Sequence, residues 1–165
     1  MVWIMTGHIF CYAYATTDNT QTIFAKAQSW VFQPILSAPI SVDTFFVISG
    51  FLMAYLFFEA QKLVPTTDYI ISFFKVVFIR YIRIGPCLGI VSLAAASLVT
   101  YQNDTSMFHP IENFENLCKK YWWRNMLFIQ NLYPSDELCI SWSWYVAADF
   151  QMFLFCAVLL IIFLK

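Results

Sequence analysis

The chain has 165 residues, 61% hydrophobic and 20% aromatic, with only 12% charged and a formal net charge of −1. With a mean hydropathy of +0.66, it carries more apolar surface than a soluble domain of this size can cover, so the composition points to a polytopic membrane protein. No basic tract has the density that nucleic-acid binding needs, and no repeat, low-complexity tract or cleavable signal pattern is legible.

Residues 1–15, MVWIMTGHIFCYAYA, are apolar, but too few to cross a hydrocarbon core of about 30 Å at about 1.5 Å per residue. They read as the second part of a helix begun upstream. Residues 16–39 form a polar connection, expected to be partly helical around 23–32. Residues 40–58, ISVDTFFVISGFLMAYLFF, are long enough to span, with Asp43 near the start and Ser49-Gly50 mid-span. Such a small pair lets another helix approach closely.

Residues 59–83 carry Lys62, Lys75, Arg80 and Arg83 against Glu59 and Asp68. Their apolar residues Ile70, Phe73, Phe74, Val77 and Phe78 recur at helical spacing, which predicts a helix lying along the membrane surface and then entering it. Residues 80–100 follow as the next span, with Pro86 and Gly89 near its start. Residues 101–141 make the one substantial polar loop, holding the N-glycosylation pattern Asn103-Asp104-Thr105 and two cysteines, Cys118 and Cys139. Residues 142–164 are the final span. The expected fold is all-α, a transmembrane helix bundle with about four spans present.

Lys and Arg number four in residues 59–83, one in 16–39 and three in 101–141. The positive-inside rule therefore predicts that 59–83 faces the cytosol and the other two connections face the lumen or the outside. The sequon and the loop cysteines agree, because both make sense in an oxidising, glycosylating compartment. A disulfide between Cys118 and Cys139 is expected, as these are the only cysteines outside the spans. A secretory-pathway or plasma membrane location follows from the same cues.

Several polar groups carry alternative readings. Arg80 and Arg83, three residues apart, share a helix face and can fork onto one anion's phosphate oxygens, or can snorkel to lipid headgroups. His8 lies seven residues before Ala15, and Asp149 seven after Trp142, placing both in one layer roughly 10 Å below the luminal edge. Ionisable groups at such depth face a cavity or a partner. His8 reads either as a helix-packing hydrogen bond or as a neutral general base. Asp43 reads as a carboxylate on the free amides of a helix's first turn. Tyr121-Trp122-Trp123 and Trp142-Ser143-Trp144-Tyr145 read as interfacial anchors, or as the lining of an acceptor site. No metal-binding set is expected.

SVDTFFVISGFLMAY at 41–55, RYIRIGP at 80–86 and SWSWYVAADFQ at 141–151 resemble the integral-membrane acyltransferase-3 family, and within it the animal, nose-resistant-to-fluoxetine-like branch. GHIF at 7–10 is similar to the family's first-helix motif, and Cys118, the Tyr-Trp-Trp after it, and Cys139 are similar to that branch. The resemblance implies a bundle of about ten transmembrane helices that moves an acyl group from cytosolic acyl-CoA to a hydroxyl on a lipid or sugar acceptor, on or across the membrane.

By the resemblance, His8 matches the proposed catalytic base, Arg80 and Arg83 match an Arg-x-x-Arg pair thought to hold the CoA phosphates, and Trp144 and Asp149 match a tryptophan and an acidic residue. Asp149 stands where a glutamate is common. An arginine that the family carries about eleven residues before its histidine would fall before Met1. The chain is thus expected to be a fragment whose partners include membrane lipids and the remaining helices. Two functions fit the sequence: an O-acyltransferase, with His8 and Asp149 catalytic, Arg80 and Arg83 binding acyl-CoA, and Trp144, Tyr145 and Asp43 at the acceptor or in structural roles; or a lipid or small-molecule transporter on the same scaffold.

Overall fold

The computed structural model describes residues 2–15, 17–63, 69–106 and 114–164. Residues 64–68 of the basic segment and 107–113 of the polar loop lie outside these. The chain divides into two compact units, Met1–Phe51 and Leu52–Lys165.

In the first unit, α1 (Val2–Ala15), α2 (Thr20–Ala27), α3 (Gln33–Leu36) and the beginning of α4 (Ala38–Leu63) follow one another closely. The connection is therefore mostly helical over its described residues, 17–39. Asn19 caps α2 by accepting from the Thr22 amide, and Pro34 sits in the first turn of α3, where its missing N–H is harmless. Three contacts hold α1 against this segment. The Trp3 indole N–H donates to the Pro34 carbonyl, Phe10 meets Phe32 edge to face at 5.3 Å, and Gly7 lets the buried Ala38 come close. Close helix approach thus occurs at Gly7, whereas a Cβ on Gly50 would meet nothing within 4 Å.

Because α4 begins at Ala38, Asp43 is its sixth residue. The free amides of a helix belong to its first four residues, so Asp43 cannot cap this one, contrary to the first-turn expectation.

The second unit contains the rest of α4, then α5 (Tyr69–Thr105), α6 (Phe114–Met126), three short 3-10 turns between Gln130 and Ser143, and α7 (Trp144–Leu164). A single 37-residue helix, α5 continues from the basic segment into the expected span, and it runs through Pro86. It also runs through the sequon, whose Thr105 hydroxyl donates back to the Tyr101 carbonyl at 2.7 Å.

Two clusters pack this unit. Val99, Cys118, Cys139 and Ile140 form one, with Ala95, Ala96 and Trp142 around it. Leu88, Phe128, Ala147 and Phe150 form the other, flanked by Val77, Tyr81, Ile84, Met126, Val146 and Leu154. Numbers fall along α5 as they rise toward and along α7, so the two helices run antiparallel. The disulfide Cys118–Cys139, with Cα atoms 4.3 Å apart, closes the first cluster as the sequence predicted.

This register decides depth. The 21 residues of α7 measure about 32 Å, one bilayer core, whereas α5 at about 56 Å is far too long to lie wholly within one. The part of α5 level with α7 is its first half, which carries Arg80, while its second half packs with α6 and the disulfide. The described chain is an all-α, multi-pass membrane protein. Three of its helical segments are long and apolar enough to cross a membrane (Ala38–Glu59, Ile71–Thr105 and Ser141–Phe163), and Val2–Ala13 is a shorter apolar stretch.

Candidate functional site

The site is built where the beginning of α7 is tied to the loop after α6. That helix ends at Met126 in a motif in which the Ile129 amide bonds back to the Arg124 carbonyl and the Phe128 amide to the Asn125 carbonyl. These two bonds make the motif that calls for a left-handed residue at its fifth position. Phe128 takes that conformation at φ 55, almost wholly buried, with its ring stacked on Phe150 at 4.4 Å and edge-on to Tyr81 at 5.8 Å.

The next turns grip α7 directly. Buried Gln130 donates to the Ser143 carbonyl at 3.0 Å, just before the helix begins. Gln151 donates to the Phe128 carbonyl at 2.7 Å and exchanges hydrogen bonds with the Asn131 amide at 2.8 and 3.0 Å. These bonds set the rotation of α7, and with it the direction of Asp149.

Asp149 meets Arg80. The guanidinium Nη2 donates to the Asp149 carboxylate at 2.5 Å, and Phe153, one helical turn beyond Asp149, lies under its face at 4.2 Å from the ring centre. Carboxylate at the edge and ring on the face both come from α7, at i and i+4. The two charged side chains keep 23% and 15% of their exposure, so the pair is covered without being sealed.

This contact corrects the depth expected from sequence. The sequence puts Arg80 on the cytosolic side and Asp149 roughly 10 Å below the luminal edge. They share one level, about 8 Å from the first residue of α7 at five residues along the helix. A charge within the apolar layer demands a partner, and each supplies the other's.

Arg83, three residues on along α5, is exposed. The two arginines therefore do not present equally: one is held by α7, the other open. Tyr145 lies on the Asp149 face one turn earlier, half-buried, while Trp144 remains 44% exposed. In the first unit, His8 and Asp43 are both exposed on their helices. Since Gly7 occupies the packed side of α1, the neighbouring His8 turns away from that contact.

Phe153, Gln151 and Gln130 were missed by sequence reasoning. The i, i+4 spacing of Asp149 and Phe153 was the available signal for the first; the glutamines had none beyond being polar near a span. A second charged cluster was also missed. Arg124 pairs with Glu137 at 2.8 Å and stacks over Tyr121 and Tyr133 at 4.0 and 3.7 Å. The hydrogen bond and charge of Arg124 hold the Glu137 carboxyl below its usual range. Among the described residues no three metal-ligating side chains cluster.

Comparison with known proteins places the chain in a family. The acyltransferase domain model of the acyltransferase-3 family matches residues 1–165. The chain is 37% identical over 177 aligned positions to Nose resistant to fluoxetine protein 6 of Caenorhabditis elegans, an alignment that covers all of this chain and 21% of that relative. The chain thus spans about one fifth of the relative's length. No solved structure matches it. With a family model matched along its whole length, the chain belongs to the integral-membrane acyltransferase-3 family.

Proposed function

We propose that the protein is a membrane O-acyltransferase that takes an acyl group from acyl-CoA and delivers it to a hydroxyl on a lipid or sugar acceptor. Arg80 and Arg83 bind the phosphates of the donor, His8 is the general base that takes the acceptor hydroxyl's proton, and Asp149 governs Arg80. Trp144 and Tyr145 line the acceptor side. In this reading the start of α5 faces the cytosol, in a secretory-pathway or plasma membrane, and the phosphates of a cytosolic donor reach into the bundle to Arg80, which lies level with the beginning of α7. Asp43 has no role in the reaction that its position supports.

The observation that carries the reading is the half-buried Arg80 with exposed Arg83 three residues on, in a chain of an acyltransferase family. Two planar guanidiniums offer ten N–H donors in fixed forks, which suits phosphate oxygens and exceeds what one carboxylate uses.

The test is binding and transfer by the whole protein in isolated membranes. Replacing both arginines by Lys keeps the charge and loses the forks, so labelled acyl-CoA binding should weaken while membrane insertion is unchanged. Replacing His8 by Ala should spare binding and slow transfer by about 10²- to 10⁴-fold, the usual worth of a general base. Wild-type protein that binds no acyl-CoA would sink the reading and leave transport on the same scaffold.

Asn103 is proposed to carry a glycan only at low occupancy, because its sequon lies in the last turn of α5.

A further inference from the structure

We propose that Asp149 is an exchangeable counter-ion: it holds Arg80 when the anion site is empty and gives it up to a phosphate of the donor. This rests on the donor-binding reading above, and it assigns Asp149 to control of the arginine, in place of a direct part in acyl transfer.

The geometry supports exchange over a permanent structural pair. Arg80 lies at a depth where an uncompensated cation is costly, so the empty site needs a resident anion. Asp149 is that anion, at 2.5 Å from Nη2. It does not enclose the guanidinium. It approaches one edge while Phe153 takes one face, and a quarter of the arginine side chain remains open.

A phosphomonoester brings up to two negative charges to Asp149's one, and it adds the exposed Arg83 as a second fork. The incoming group therefore outcompetes the carboxylate for the same donor. Phe153 keeps its place under the guanidinium throughout, so the cation stays positioned while its anion changes. The glutamine ties of α7 to the loop hold the helix still, leaving the Asp149 side chain as the moving part.

A carboxylate beside an anion site also repels the anion. Removing its charge should therefore strengthen donor binding, an effect that a packing role does not produce. Labelled acyl-CoA binding is measured on the whole protein in membranes, for wild type and Asp149→Asn, with Asp149→Glu as the charge-preserving comparison. The expected result is about tenfold tighter binding by Asp149→Asn and near wild-type binding by Asp149→Glu. Unchanged or weaker binding by a well-inserted Asp149→Asn overturns the proposal.

Should that variant fail to insert, the wild-type protein still decides. Exchange frees the carboxyl, so saturating CoA should raise the modification of Asp149 by a hydrophobic carbodiimide, read by mass spectrometry of the 144–164 segment. Modification that stays constant or falls overturns it. Wild-type protein that binds no CoA shows instead that the donor-binding reading has failed.

Discussion

Phe128 and Phe150 stack face to face with ring centres 4.4 Å apart and planes within 21°, although Phe128 has a left-handed backbone at φ 55. That conformation places Cβ against the backbone and costs about 1 to 2 kcal/mol for a residue other than glycine. The buried stack outweighs it, because burying a phenylalanine contributes about 2 to 3 kcal/mol before any ring–ring term. Phe128→Ala loses the ring and keeps the strain, whereas Phe128→Gly loses the ring and relieves it. Thermal unfolding in detergent should rank wild type above Phe128→Gly, and Phe128→Gly above Phe128→Ala by about 1 kcal/mol. A reversed order of the two variants would contradict the left-handed assignment.

Gly7 marks the closest approach in the first unit. A Cβ there would fall 2.6 Å from the Cβ of Ala38, and neither atom can rotate aside. Gly7→Ala should push α1 off Ala38 and disturb the Trp3 bond to the Pro34 carbonyl, at a cost of about 1 to 3 kcal/mol. Gly50→Ala is the matched comparison, since its Cβ meets nothing within 4 Å and helix propensity favours alanine by about 1 kcal/mol. Melting temperatures of the two variants should move in opposite directions.

The disulfide-bracketed segment should soften in acid. Its hydrogen bond with Arg124, and that cation's charge, hold the Glu137 carboxyl below its usual range. A depressed carboxylate contributes stability that is present above the unfolded-state value and is lost as pH falls through the folded-state value. The rate at which a phosphine reduces Cys118–Cys139, taken relative to a small-molecule disulfide at the same pH, should therefore rise as pH drops below the ordinary carboxylate range. Glu137→Gln should show the faster rate already at neutral pH and little change on acidification. A wild-type rate that is flat over this range would mean that the Arg124–Glu137 contact does not protect the segment.

Much of the fold was legible because membrane burial leaves a compositional signal. Residues 40–58 and 142–164 are apolar runs of spanning length; α4 contains the first, and α7 contains all but the first two residues of the second. The pairing of Cys118 with Cys139 followed from elimination, as the other cysteines fall in apolar runs. Boundaries were harder to read where polarity and helicity part company. Residues 101–105 are polar yet continue α5, and Asp43 looked like a cap because α4 begins earlier than its apolar run does.

The amino-acid sequence by itself determined the class of protein, the family motifs and the candidate charges, since hydropathy, spacing and residue chemistry are properties of the chain alone. Which charges meet was decided only in three dimensions. Arg80 and Asp149 are 69 residues apart, and their contact depends on how far α7 slides along α5. That register is set by the Phe128 stack, the Gln130 and Gln151 hydrogen bonds and the disulfide. Apart from the disulfide, none of these has a signature in the sequence, because each is a match between surfaces that local sequence does not encode.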